Sequence, residues 1–325
     1  NDPLLQPYQL KHLTLKNRIM TTSHEPAYPE DGMPKDRYRA YHVERAKAGI
    51  AMTMTAGSAA VSRDSPPVFN NVLAYKDEIV GWMKRLTDEC HDHGCAVMIQ
   101  LTHLGRRTHW NKGDWLPALS TSHQREPAHR AFPKKMEDWD IARVIVDYAD
   151  AAERMAEAGL DGVELECYGH LMDQFMSPLT NELDGPYGGS LENRARFALE
   201  VVAAIKARVG DKLLVGVRYT ADETAKGGIN EDEGIAIGHM FKASGHVDFL
   251  TVIRRHLLSR PDLSGRRCAL HPQSGNGPRT HHAAHDQART GQEARGHHWR
   301  RTRRARSRTR CGGTRPPGHG LRSPT

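Results

Sequence analysis

The sequence predicts an α/β protein, a (β/α)8 barrel truncated after about six strands. Two observations carry this expectation. A unit of amphipathic helix, glycine and short apolar run recurs along the first 253 residues, with apolar runs near residues 19, 52, 98, 164, 215 and 249. Strands that alternate with helices pair in parallel, and parallel strands covered on both faces read as near-continuous apolar runs. In addition, no GxGxxG opens a helix after the first run, so a dinucleotide-binding doubly wound sheet is not supported.

The elements follow in order. Residues 17–22 (NRIMTT) form the first strand and lead into a loop rich in Pro, Glu, Asp and Gly. Residues 35–48 have helical spacing, Gly49 ends that helix, and residues 50–55 are the second strand. Residues 77–93 are amphipathic at helical period, with Gly94 as the C-terminal cap, and residues 96–101 (AVMIQL) are the third strand. A long excursion, residues 102–135, is rich in His, Arg, Trp and Pro. Residues 138–158 form a helix closed by Gly159, and residues 162–166 (GVELE) are the fourth strand. Helix 190–209, strand 213–217 (LLVGV), helix 231–243 and strand 247–252 complete the series.

The chain then changes character. Residues 254–325 contain no Ile, Val, Phe, Tyr, Met or Lys, but 17 Arg, 8 His, 9 Gly and 6 Pro against 3 acidic residues, a formal charge of +14. The first 253 residues carry 29 basic and 36 acidic residues, a charge of −7, so the overall +7 joins two unlike objects and is no argument for nucleic-acid binding by the whole chain. The division expected is 1–253, an incomplete barrel portion, and 254–325, an Arg-rich tail. The tail reads either as a disordered basic arm or as a non-native reading frame. Abundant Arg, Gly, Pro, His and Ala with no Lys favours the second, and so does its start directly after strand six.

No run approaches the roughly 20 apolar residues needed to span a bilayer. The opening NDPLLQPYQL has no basic-then-apolar signal pattern, and a first residue that is Asn reads as a fragment. Cys90, Cys95, Cys167, Cys268 and Cys311 match no zinc or disulfide framework. Structural thiols in a reducing cytoplasm are the expectation, and no membrane partner is expected.

Active sites of such barrels form at the C-terminal strand ends. Here these ends carry Thr21, Thr22, Ser23, His24 and Glu25; Thr55, Ala56 and Gly57; Gln100, Thr102 and His103; Glu166, Tyr168, Gly169 and His170; Arg218; and Thr251 and Arg254. Gln100 alone reads equally as a satisfied amide, and Arg218 alone as a salt bridge across the barrel mouth. Together they suit a flat, electron-poor heterocycle. The amide donates and accepts along a pyrimidine-like edge, and the non-titrating guanidinium stabilises an anion formed on reduction. The loop histidines His103, His109, His123 and His129 have no metal-ligand spacing and are expected in a solvated lid.

The stretches NRIMTTSHEP, VMIQLTHLGRR, DGVELECYGHLMDQFMSPLTNELDGPYGGSLENRARF and VGVRYTADE resemble the Old Yellow Enzyme family of FMN-dependent oxidoreductases. The most specific run is QFMSPLTNELDGPYGGSLENRARF. The branch most resembled contains trimethylamine dehydrogenase, dienoyl-CoA reductase and N-methylproline or dimethylglycine demethylases, and TTSHEP with CYGHLMDQF looks closest to the demethylases. The resemblance covers residues 4–253. It implies a (β/α)8 barrel and non-covalent FMN, because Glu25 stands where trimethylamine dehydrogenase has its FMN-bonding cysteine. By the same resemblance Gln100 and Arg218 match isoalloxazine contacts, Thr22, Ser23, His24 and Ala56 line the ring, and Tyr168 and His170 match the substrate-side positions. The segment before Gln174 is one residue short of the family pattern, so these last two are not ranked. Tyr187, Gly188 and Gly189 are expected to make a tight turn, Ser190 to cap the next helix, and Asn193, Arg194 and Arg196 to tie that helix to the loop.

The resemblance further implies a small amine substrate, oxidised at a C–H next to nitrogen, with NAD(P)H-dependent alkene reduction as the alternative activity. It leaves the electron acceptor open and is compatible with a homo-oligomer. The branch's 4Fe–4S cluster and FAD/NAD(P) domains have no counterpart in this sequence. Nor does anything in residues 254–325 supply strands seven and eight, which hold the FMN phosphate in the family. A nucleic-acid partner would rest on the tail alone and is not expected.

Overall fold

In a computed structural model that describes residues 2–108, 116–127 and 130–254, the runs above form one parallel sheet. Its strands are β1 (Met20–Thr21), β2 (Met52–Ala60), β3 (Ala96–Thr102), β4 (Gly162–Cys167), β5 (Leu214–Asp222) and β6 (Phe249–Arg254), hydrogen-bonded in the order β6–β5–β4–β3–β2–β1. Helices α1 (Asp36–Lys47), α2 (Ile79–His91), α3 (Asp138–Glu157), α5 (Leu191–Val209) and α6 (Glu231–Ser244) alternate with the strands, and a short α4 (Leu171–Met176) follows β4. The strand order never reverses, as it would in a doubly wound sheet. This is the winding of a (β/α)8 barrel, with six of its strands in place. The chain divides into units Asn1–Ala269 and Leu270–Thr325, and every described residue lies in the first. The expectation for residues 254–325 falls outside the described residues except for the backbone of Arg254.

Period-two alternation sorts the strand residues onto two faces. Val97, Ile99, Leu101, Val163, Leu165, Cys167, Val215, Val217 and Tyr219 point outward and join the main core beneath the helices. Met52, Met54, Ala96, Met98 and Leu214 point inward and form a second cluster with Phe249. Gly216 makes room for the Phe249 ring, since a Cβ there would lie 2.0 Å from it. An antiparallel hairpin, Tyr8–Leu10 with Leu13–Leu15, was not expected from the sequence. It packs Leu10, Leu13 and Leu15 on that inner cluster and so closes the N-terminal end of the sheet.

Helix limits follow local chemistry. Glu137 and Asp140 form a reciprocal capping box on α3, and Ser190 Oγ accepts from Asn193 N at 3.3 Å to start α5. β5, expected over 213–217, continues to Asp222 and so holds Arg218 within it, and β6 runs over Phe249–Arg254 rather than 247–252. Two further strands also differ. β1 is two residues long, because Asn17 Nδ2 donates to Gly49 O and Arg18 N donates to Leu4 O, committing the preceding segment to loop contacts. β2 runs on to Ala60, but irregularly: its pairing with β3 shifts register on both sides of Gly57.

No described helix is long and apolar enough to cross a membrane. Cys90, Cys95 and Cys167 are buried free thiols, and burial pushes Cys90 up to about 12 and Cys95 to about 11. Such thiols are poor nucleophiles at neutral pH. Cys268 and Cys311 lie outside the described residues.

Candidate active site

The inner face of the sheet turns from apolar to polar along each strand. Above Met98 comes Gln100, above Gly162 comes Glu164, above Gly216 comes Arg218, and above Phe249 comes Thr251. Parallel register places these four side by side: Gln100 opposite Glu164, and Arg218 opposite Thr251. Glu164 is the hub. It is fully buried, its Oε2 accepts from Gln100 Nε2 at 2.6 Å and from Arg218 Nε at 2.9 Å, and its Oε1 accepts from Thr251 Oγ1 at 2.7 Å. Arg218 therefore does make a salt bridge within the barrel mouth, and no hydrogen bond among the described residues engages its two Nη groups. Gln100 Oε1 is buried without a partner. The sequence reading missed Glu164, though one signal was available: a carboxylate in the middle of an apolar strand needs a cation.

One step nearer the strand ends is a second group. Glu166, 2% exposed, accepts from Ser58 Oγ at 2.7 Å through Oε2, and its Oε1 lies 3.3 Å from His170 Nε2. Burial pushes this carboxyl up, but the charge and hydrogen bond of His170 and the hydroxyls of Ser58 and Tyr168 outweigh it and hold the group below its usual range. The Tyr168 and His170 rings are 6.3 Å apart, and burial together with Glu166 raises the Tyr168 hydroxyl well above its ordinary value. His170 is the N-cap residue of α4, and its Nδ1 is buried without a partner.

The β1 loop and the end of β2 meet through backbone. A Cβ on Gly57 would lie 2.8 Å from Glu25 N and 3.1 Å from His24 C, so only glycine permits this approach. Ala56 and Ser58 on either side have φ of +50° and +107°, and Ala56 N donates to Tyr38 Oη at 2.6 Å. Strain of this kind collects at functional sites. Thr22 and His24 are exposed and Ser23 is half-buried. The His24 backbone lies against Gly57, next to Ala56, while Thr22 and His24 line a pocket with Tyr41, His42 and Arg45 of α1. No hydrogen bond among the described residues joins these three to the Glu164 group. Glu25 is half-buried, and its carboxyl is pushed up from 4.5 to about 7 by burial, offset in part by Ala27 N.

The excursion after β3 is not a solvated lid throughout. His103 is fully buried, with Nε2 at 2.9 Å from Asp64 Oδ1, while Gly105 N donates to its Nδ1. The expectation of a solvated position is corrected for His103, because buried Asp64 pairs with it and is itself held by Ser62 and by the half-buried Arg143. His123 is exposed, and His109 and His129 lie outside the described residues. Gln174 clamps the excursion to α4, its Oε1 accepting from Ser120 Oγ at 2.9 Å and from Arg106 N at 3.2 Å.

Residues 3–258 match the model of the NADH:flavin oxidoreductase / NADH oxidase family. A Rhizobium meliloti (strain 1021) protein named "Probable N-methylproline demethylase" is 69% identical over 264 residues, 81% of this chain and 39% of that protein. A Caballeronia cordobensis protein named "Multifunctional alkene reductase/demethylase OYE" is 44% identical over 78% of this chain and 37% of its own length. Among solved structures, 2-naphthoyl-CoA reductase in complex with 2-naphthoyl-CoA superposes with a TM-score of 0.72 at 26% identity, covering 78% of this chain and 41% of that one. The chain thus spans about two fifths of the length of these relatives. A barrel winding, a strand-end polar site and a match across residues 3–258 agree, and the chain belongs to the NADH:flavin oxidoreductase / NADH oxidase family.

Proposed function

We propose that this chain carries the FMN-binding barrel portion of an oxidoreductase that removes a methyl group from a small N-methylated amine or amino acid, of the N-methylproline or N,N-dimethylglycine type. The observation that carries the cofactor reading is Gln100. Its Oε1 is a buried acceptor without a partner beside the Arg218 guanidinium, which is what the N3–H and adjoining carbonyl of an isoalloxazine pyrimidine edge require. The 69% identity to a relative named for N-methylproline demethylation supports the choice of reaction.

In this reading Gln100 and Arg218 hold the pyrimidine edge, and Glu164 fixes both side chains in place. Thr22, Ser23, His24 and Ala56 present the β1 loop and β2 backbone along the ring, a surface set by the Gly57 contact. Bound FMN supplies the acceptor for the hydride leaving the N-methyl carbon. Water then adds to the resulting C=N bond, and formaldehyde and the demethylated amine leave. Tyr168 and His170 stand on the substrate side, with His170 Nδ1 the free position for a substrate or water hydrogen. A cytoplasmic location accords with the reduced, buried thiols.

The test is anaerobic mixing of the FMN-loaded chain with N-methylproline, with N,N-dimethylglycine, or with NADPH and an activated alkene. Flavin bleaching and formaldehyde release with the amines are expected. Bleaching by NADPH alone, followed by alkene reduction, would replace demethylation with the alkene reductase reading.

A further inference from the structure

β4 points two carboxylates inward, and they are treated differently. Glu164 has a fixed counter-ion in Arg218. Among the described residues Glu166, one layer nearer the mouth, has no Lys or Arg bonded to it; its ion-pair partner is His170, at 3.3 Å, which is charged only when protonated. Arg218 is its register neighbour on β5, but the Nε of that guanidinium is committed to Glu164. The groups that face Glu166 are the Ser58 hydroxyl from β2, the Tyr168 hydroxyl, and His170 Nε2 from the start of α4. The imidazole in its neutral form still donates through Nε2–H, more weakly than a charged ring would, and then leaves the charge of the carboxylate uncancelled. A carboxylate 2% exposed with no permanent cation is costly in the protein alone. That cost falls when a cation arrives. The second observation is on the same ring: His170 Nδ1 is buried and unpartnered, an open polar position next to the same carboxylate.

We infer that Glu166 is the specificity-determining residue of the site, the anion that recognises the positively charged nitrogen of an amine substrate. Ser58 and Tyr168 hold the carboxylate at the strand end, and His170 keeps its open Nδ1 to accept the proton that the bound nitrogen must lose before a hydride can leave the adjoining carbon. A site built this way selects small ammonium ions over neutral molecules of equal shape. The inference rests on the demethylase reading and gives it a recognition element that neither the fold nor the flavin supplies.

The test uses the FMN-loaded full chain and two probes of one shape, choline and its uncharged isostere 3,3-dimethylbutan-1-ol, with binding read by calorimetry at low salt. Wild type is expected to prefer choline by roughly tenfold or more. Glu166→Gln keeps the size and the Ser58 contact but removes the charge, and is expected to abolish the preference while bound flavin is retained. Glu166→Asp, which keeps the charge, is expected to preserve part of it. No preference in wild type, or an undiminished preference in Glu166→Gln, overturns the inference. Should Glu166→Gln fail to fold, the wild-type and Glu166→Asp preferences decide. The two readings also separate. Cation preference that depends on Glu166 in a chain that does not oxidise N-methylproline removes the demethylase reading and keeps this one. Oxidation with an unchanged KM in Glu166→Gln does the reverse.

Discussion

Arg218 and Glu164 sit on adjacent strands with a single ion pair between them, 2.9 Å long, at a carboxylate with no access to water. Deleting the guanidinium leaves that charge uncompensated, so Arg218→Ala is expected to lose about 3–5 kcal/mol in urea unfolding, and Arg218→Ala with Glu164→Gln to recover much of it. A single-mutant loss below about 1 kcal/mol would show that the pair contributes little. In FMN-loaded protein the same Arg218→Ala change is expected to lower the flavin potential, because a fixed cation favours the reduced anion. Glu25 gives a pH prediction. Its carboxyl is raised from 4.5 to about 7 by burial, so the folded state holds a proton that the unfolded state has released. Its contribution to stability is therefore complete below pH 4.5 and disappears as pH rises through 7. Glu25→Gln is expected to flatten the pH dependence of the melting temperature across that window, with a gain on the order of 1–3 kcal/mol over wild type at pH 8. An unaltered slope would mean that the carboxyl is hydrated.

At the scale of elements, the segment between α4 and α5 is a clamp. Arg194 Nε donates to Met176 O at 2.8 Å, Nη1 to Gly189 O at 2.8 Å and Nη2 to Glu233 Oε1 at 2.6 Å, so one side chain joins the end of α4, the turn before α5, and α6. Asn193 Nδ2 bonds Gly185 O and Gly188 O, and Arg196 Nε bonds Pro186 O. The expected role of these residues, tying α5 to its loop, is what the hydrogen bonds do. Arg194→Lys keeps the charge but cannot reach three acceptors from a planar fork. It is expected to cost about 2 kcal/mol in thermal unfolding with no change in flavin potential. A change in potential without a stability loss would place Arg194 in the site instead. The turn was legible because Gly188 admits no side chain: a Cβ there would lie 1.7 Å from Leu183 O.

At the scale of the whole molecule, among the described residues the sheet runs from β1 to β6, with these two strands at its ends. A closed barrel joins its first strand to its last and so removes both edges. The family match ends at residue 258, close to where the residue composition changes. Reading the nucleotide sequence beyond codon 253 in the other two frames is expected to recover two further βα units. A protein expressed from the restored frame should then melt at higher temperature and hold FMN more tightly. If no such units appear in either frame, the Arg-rich segment is native and the frameshift reading fails.

Local pattern by itself determined the alternation of helices and strands, the caps at Gly94, Gly159 and Ser190, and the choice of barrel over doubly wound sheet. Each follows from spacings within one element or one turn, where near neighbours in sequence are near neighbours in space. That Gln100, Tyr168 and His170 stand near or just past strand ends was legible for the same reason, whereas Arg218, expected past its strand, lies within β5. Their partners were not. That Glu164 rather than the barrel rim takes Arg218 depends on the register between β4 and β5, and that Glu166 faces Ser58 depends on β2 bulging around Gly57. His103 read as a solvated loop residue until Asp64 and Arg143, contributed by a distant loop and by α3, buried it. Sequence fixes which side chains can reach the mouth of the barrel. Only the tertiary fold decides which charges meet there, because pairing across strands is set by packing and register that no single segment encodes.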